Sequence, residues 1–124
     1  MNSRKTFIIH LFVAFVSLFF HAPAAEAASE NEKINSLLSH IEGLEDATFI
    51  RNGSSYSAKN AVKFLRGKWD ANKKDIVTAN DFIEKAASKS STTGKPYLIK
   101  LKGAAEVPCA DYLKARLKKL ETGS

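Results

Sequence analysis

Asn52-Gly53 stands between two short runs, "ATFIR" and "SSYSA", in which apolar and polar side chains alternate. A two-residue hairpin turn that matches strand twist needs positive φ at both central residues, which Asn tolerates and Gly adopts without steric cost. The register follows from the turn. Arg51 is expected opposite Ser54, Ile50 opposite Ser55, Phe49 opposite Tyr56 and Thr48 opposite Ser57. Directly opposed residues share a face, so Phe49 and Tyr56 form an aromatic cross-strand pair. A lone hairpin is marginal in water, so the rest of the chain has to cover and extend it.

The covering elements announce themselves by caps and periodicity. Ser29 followed by Glu32 is a capping-box signature, and Ile34, Leu37, Leu38, Ile41 and Leu44 recur at helical spacing behind it. Ser57 caps a second helix, in which Ala61, Val62, Leu65 and Trp69 share one side, with Phe64 and the stem of Lys68 at its edge. Lys59, Lys63, Arg66, Lys73 and Lys74 fall on the opposite side, relieved by Asp70, and give that helix a basic outer face. Gly67 weakens the helix by about 1 kcal/mol relative to Ala and is expected to permit close backbone packing. Thr78 and Asp81 form a second capping box, with Val77 placed to staple onto Phe82, and this third helix is expected to end near Ser88. "YLIKL", 97–101, alternates as a strand, "KGAAEV" reads as a loop, and Pro108 suits the first turn of a last helix through about Leu120. The predicted fold is a small α+β domain, four helices packed on a short antiparallel sheet made of the hairpin 48–57 and the strand 97–101.

The N-terminus reads as a targeting segment. Arg4 and Lys5 precede an apolar run of 14 residues, Phe7 to Phe20, shorter than the roughly 20 needed to span a bilayer as a helix. Ala25-Glu26-Ala27 then fits a signal-peptidase site. The expectation is a cleaved signal peptide over 1–27, a single domain over 28–124, a periplasmic location and no transmembrane segment after cleavage. The remaining chain carries 17 basic and 12 acidic residues, a net +5. For an exported protein that balance points to an anionic envelope component or an acidic protein as partner rather than to nucleic acid. Cys109, the single cysteine, cannot form an internal disulfide and falls on the inner side of the last helix, so packing alone holds the fold. His40 is the one histidine in 28–124, which makes a zinc site improbable.

The hydroxyl-rich stretch "SKSSTTGKP", 88–96, invites a nucleophile or a phosphate cradle. A P-loop needs glycine where Lys89 stands and Ser or Thr where Pro96 stands. A Ser-x-x-Lys pair is matched only by Thr92 and Lys95, across the break at Gly94-Lys95-Pro96. The segment reads as a polar connector with some capacity to bind an anion through hydroxyls and backbone N–H groups. No motif implies a cofactor.

Taken together, "FIRNG" followed by "Y", "FLR" in the second helix, and the run from Thr78 to Ile99 containing "ASKSSTTGKPYLI" resemble the YfeK-like family of small periplasmic proteins of unknown function in Gram-negative bacteria. The resemblance implies export and a single domain, and implies no reaction. It also implies histidine where this chain has Phe64, so no histidine-dependent chemistry carries over at that position.

A binding surface follows if the strand 97–101 lies beside the hairpin. Arg51, Asn52, Tyr56, Arg66, Ser90, Ser91, Thr93 and Lys95 would then converge. Such a set, rich in cations and hydroxyls and without paired carboxylates, suits a noncatalytic module for a carboxylate, phosphate or glycan better than acid–base catalysis. Two alternatives stand beside it. A small hydrolase would use Ser90 or Ser91 with His40, Asp81, Glu84 or Lys95 as base. A protein inhibitor would dock through the basic helix face.

Overall fold

The sheet grows outward from the Asn52-Gly53 turn. In the computed structural model, which describes residues 28–123, Asn52 has φ 51° and Gly53 φ 80°, and β1 (Thr48–Arg51) pairs antiparallel with β2 (Ser54–Ser57). The observed register is the one expected, with Phe49 opposite Tyr56 and Arg51 opposite Ser54. On the other side of β1 lies β3 (Leu98–Lys100), antiparallel, with Ile99 opposite Phe49. The expected signal peptide, 1–27, lies outside the described residues.

A fourth strand corrects the sequence reading. The segment read as a loop turns at Gly103, where φ is 73°, and returns as β4 (Glu106–Pro108) on the far edge, giving the order β2-β1-β3-β4. Its three residues are all exposed. An edge strand gains little from burial, and Glu and Pro there guard against further strand pairing, so the segment carries no periodic apolar signal.

Helices cover one face of this sheet. α1 (Glu30–Glu42) starts at the Ser29–Glu32 capping box, whose reciprocal bonds measure 3.1 and 2.8 Å. α2 (Ala58–Ala71) is capped by Ser57 and lies on β1 and β2, while α4 (Cys109–Thr122) lies on β3 and β4. α3 (Ala79–Ala86) begins at Thr78, and α1 touches all three other helices. The core is the merger of the predicted stripes: Leu37, Leu38, Leu65, Phe82, Ile83 and Leu113 are all fully buried.

Three local expectations are revised. Val77 is 65% exposed rather than stapled onto Phe82, and its N–H instead joins that of Thr78 on the Asp81 carboxylate at 3.0 Å. Those two N–H groups, Thr78's first, hold the Asp81 carboxyl below its ordinary range. A Cβ built on Gly67 would meet nothing within 4 Å, so that glycine serves no close packing. Pro108 sits outside the last helix as its N-cap, and the helix continues to Thr122, closing on Gly123 in the left-handed conformation.

Polar ties join the helices at their ends. Glu30 accepts the Ala79 N–H at 2.8 Å, linking the starts of α1 and α3, and Lys33 lies 3.0 Å from both Glu30 and Glu121. The Ala79 N–H and then Lys33 hold the Glu30 carboxyl low. His40 is 2.7 Å from the Tyr112 hydroxyl, and burial, with Arg116 and Lys119 nearby, lowers its pKa and favours the neutral ring.

Candidate functional site

Strand parity decides where Arg51 goes. Being two residues from Phe49 on β1, it shares the face that α2 covers, and the flank of α2 that meets it carries Asn60, Phe64 and Lys68 at four-residue spacing. The Arg51 guanidinium lies over the Phe64 ring, 4.3 Å from its centroid, and Nη1 reaches the Tyr56 hydroxyl at 3.5 Å. Its Nε is buried and has no hydrogen-bond partner among the described residues. One helical turn along, Lys68 Nζ donates to the Tyr97 hydroxyl at 3.1 Å and to the Lys89 carbonyl at 3.2 Å, and sits 5.9 Å from the Phe64 centroid.

The polar connector 88–96 is closed on itself. Lys89 bridges Pro96, the Ser90 N–H donates to the Lys95 carbonyl at 3.0 Å, and the Gly94 N–H donates to the Ser90 carbonyl at 2.9 Å. Ser90 is 4% exposed, and its Oγ accepts the N–H groups of Thr92 and Thr93, each at 3.3 Å. The Lys95 N–H goes to Thr93 Oγ1 at 3.1 Å. Most backbone donors of the turn are therefore spent within it, and any anion held beside it must be held by side chains.

Asn52 fastens the hairpin tip to this turn. Its Nδ2 donates to Ser90 Oγ at 3.3 Å, and its Oδ1 accepts from Thr93 Oγ1 at 2.6 Å. Ser90 Oγ is thereby bonded by Asn52, Thr92 and Thr93, and among the described residues it bonds no carboxylate, imidazole or lysine amine. Of the bases a hydrolase would need, His40 is engaged with Tyr112, Asp81 with the cap of α3, and Glu84 lies 3.9 Å from Lys114.

Two adjoining cavities open between hairpin, α2 and turn, with Arg51 and Phe64 in the wall of both. The larger, about 370 Å³, is lined by Phe49, Tyr56, Asn60, Ala61 and Lys63 besides the shared pair. The smaller, about 140 Å³, adds Lys68, Ser90, Ser91, Thr92 and Tyr97. Neither set of lining residues contains Asp or Glu. Arg51, Tyr56, Ser90 and Ser91 thus meet here, whereas Asn52 and Thr93 are consumed in the tie, and Lys95 is exposed and lines neither cavity. Arg66 lies elsewhere, its Nη1 on Asn35 Oδ1 of α1 at 3.0 Å.

Lys68, Phe64 and Tyr97 also line the cleft, beyond the residues expected from the sequence. Their signal was faint: the first two mark the edge of the α2 stripe, and Tyr97 has the inward parity of its strand. A separate concavity of about 450 Å³ lies along α1 and α4 by His40 and Arg116. It is a shallow groove.

The family model that matches residues 28–121 is described as a family of unknown function, DUF5329. The chain belongs to that family. It is also similar to the uncharacterized protein YfeK of Salmonella typhimurium strain LT2, 42% identical over 86 residues, which is 68% of this chain and 72% of that protein. No solved structure matches the chain. This member of the family has, among its described residues, no helix long and apolar enough to cross a membrane.

Proposed function

We propose that this DUF5329 protein is an exported, noncatalytic binding module that takes an anionic ligand in the cleft between the hairpin and the 88–96 turn. One observation carries the reading: Arg51 and Lys68 flank the same ring, beside hydroxyls, with no carboxylate among the lining residues. Cations in so sheltered a place act at reduced dielectric, and a planar guanidinium matches an oxyanion's geometry. Export and a periplasmic location are part of the proposal and rest on the basic, apolar and Ala-x-Ala segments of residues 1–27.

Amide chemical shifts of the purified protein, followed while phosphate replaces chloride at constant ionic strength, test the reading. Saturable shifts centred on Arg51 and on 90–93 are expected, weakening as salt rises. Shifts confined to Lys59, Lys73 and Lys74 would transfer the function to the basic surface of α2 and of the turn that follows it, and to an acidic protein partner. No saturable shift anywhere would overturn both.

A further inference from the structure

The two cavities differ in chemistry, and they meet at one residue pair. The smaller presents Arg51 and Lys68 with the hydroxyl-bearing Ser91 and Thr92. Among the described residues neither cation has a carboxylate partner. Arg51 has rings, a tyrosine hydroxyl at 3.5 Å and an unpartnered buried Nε, and Lys68 donates to two neutral oxygens. Two uncompensated cations at one end of a cleft suit a dianion better than a carboxylate, which would neutralise one of them. A phosphate monoester is close to dianionic at neutral pH, with a second pKa of about 6.

The larger cavity is walled by Phe49, Tyr56, Phe64 and Ala61, with Lys63 exposed on its rim. A dry cavity of about 150 Å³ takes one benzene ring. At about 370 Å³ this one has room for a body of roughly two rings and not for a long lipid tail.

We infer that the paired cavities form one bipartite site for a small soluble phosphate monoester, its phosphoryl group between Arg51 and Lys68 and its apolar, ring-sized body against Phe49, Tyr56 and Phe64. This rests on the reading of the cleft as an anion site and adds the class of ligand.

Calorimetry on the purified protein with 1-naphthyl phosphate, inorganic phosphate, 1-naphthoate and 1-naphthol tests it. Naphthyl phosphate is expected to bind at least about ten-fold more tightly than each of the other three. Lys68→Gln and Arg51→Gln should each weaken it by about ten-fold or more, whereas Phe49→Leu, in the wall of the larger cavity only, should weaken it while leaving inorganic phosphate within about two-fold. Circular dichroism and the thermal midpoint establish that each variant is folded. Should Arg51→Gln fail to fold, Lys68→Gln on the α2 flank decides the cationic end alone. Equal affinity for inorganic phosphate and naphthyl phosphate would overturn the bipartite site and leave the anion cleft standing. Equal affinity for naphthol would overturn it in favour of an apolar pocket, and silence from all four would remove cleft and inference together. Binding to phosphatidic acid vesicles but to no soluble probe would also overturn it, in favour of a lipid surface.

Discussion

Replacing Asn52 by glycine and by alanine separates two tasks that the residue performs at once. Its backbone occupies the left-handed region at φ 51°, and its side chain makes two bonds to the 88–96 turn, at 2.6 and 3.3 Å. Glycine keeps the backbone conformation and deletes the tie. Each lost bond is partly exposed and worth about 0.5–1 kcal/mol, so Asn52→Gly should cost about 1–2 kcal/mol. Alanine loses the same bonds and adds a left-handed penalty of about 1–2 kcal/mol. At roughly 4–8 °C per kcal/mol for a domain of this size, the two variants should melt at separable temperatures below the parent. Urea unfolding followed by the fluorescence of Trp69, the single tryptophan, supplies the free energies. Combining Asn52→Gly with Thr93→Ala completes a cycle in which the shared 2.6 Å bond should appear as about 0.5–1 kcal/mol of coupling. Strict additivity would show that the hairpin tip and the turn do not support each other. Equal costs for glycine and alanine would show that the turn does not hold Asn52 in the left-handed region.

Gly67→Ala should stabilise the protein by about 0.5–1 kcal/mol, because the added methyl enters open space inside α2; a lower urea midpoint would contradict it. Leu65→Ala, in the fully buried stripe, should cost about 2–5 kcal/mol in the same assay, and a cost below about 1 would place Leu65 outside the core. Burial pushes the Cys109 thiol up to about 12, so a thiol reagent should modify it only at the rate of unfolding, and rapid labelling of native protein would refute its enclosure. His40 titrates below its ordinary value in the fold, so the unfolded chain binds the proton more tightly. Its contribution is fully present above about pH 6.5 and is lost as pH falls from there through the lowered folded pKa. Unfolding free energies at pH 7 and pH 5 should therefore differ, and His40→Gln should shrink the difference; an unchanged difference would assign it to other groups.

Much of this fold is legible one element at a time. The Asn52-Gly53 turn, the boxes at Ser29 and Thr78 and the stripe through Ala61, Leu65 and Trp69 are all local: each is set by residues a few positions apart, whose backbone angles or helical spacing do not depend on the rest of the chain. The resemblance carried by Phe49 to Gly53 and Ser88 to Ile99 agrees with the DUF5329 match. Where local patterning is silent, tertiary structure decided the outcome. β4 exists because β3 offers an open edge, and three exposed residues have no burial to advertise it. The hydroxyls of 88–96 look available in a linear chain. Folded, Ser90 and Thr93 are committed to Asn52, some forty positions away in sequence, and Lys95 is left outside the cavities. Lys68 and Phe64 face Arg51 only because α2 lies across the hairpin, and Arg66, two residues from each, is turned toward α1 by the helical pitch. Short-range geometry and periodicity set the elements of this protein. Which side chains share a cleft was settled by how those elements pack, since contacts between distant segments leave no spacing in the sequence to be read.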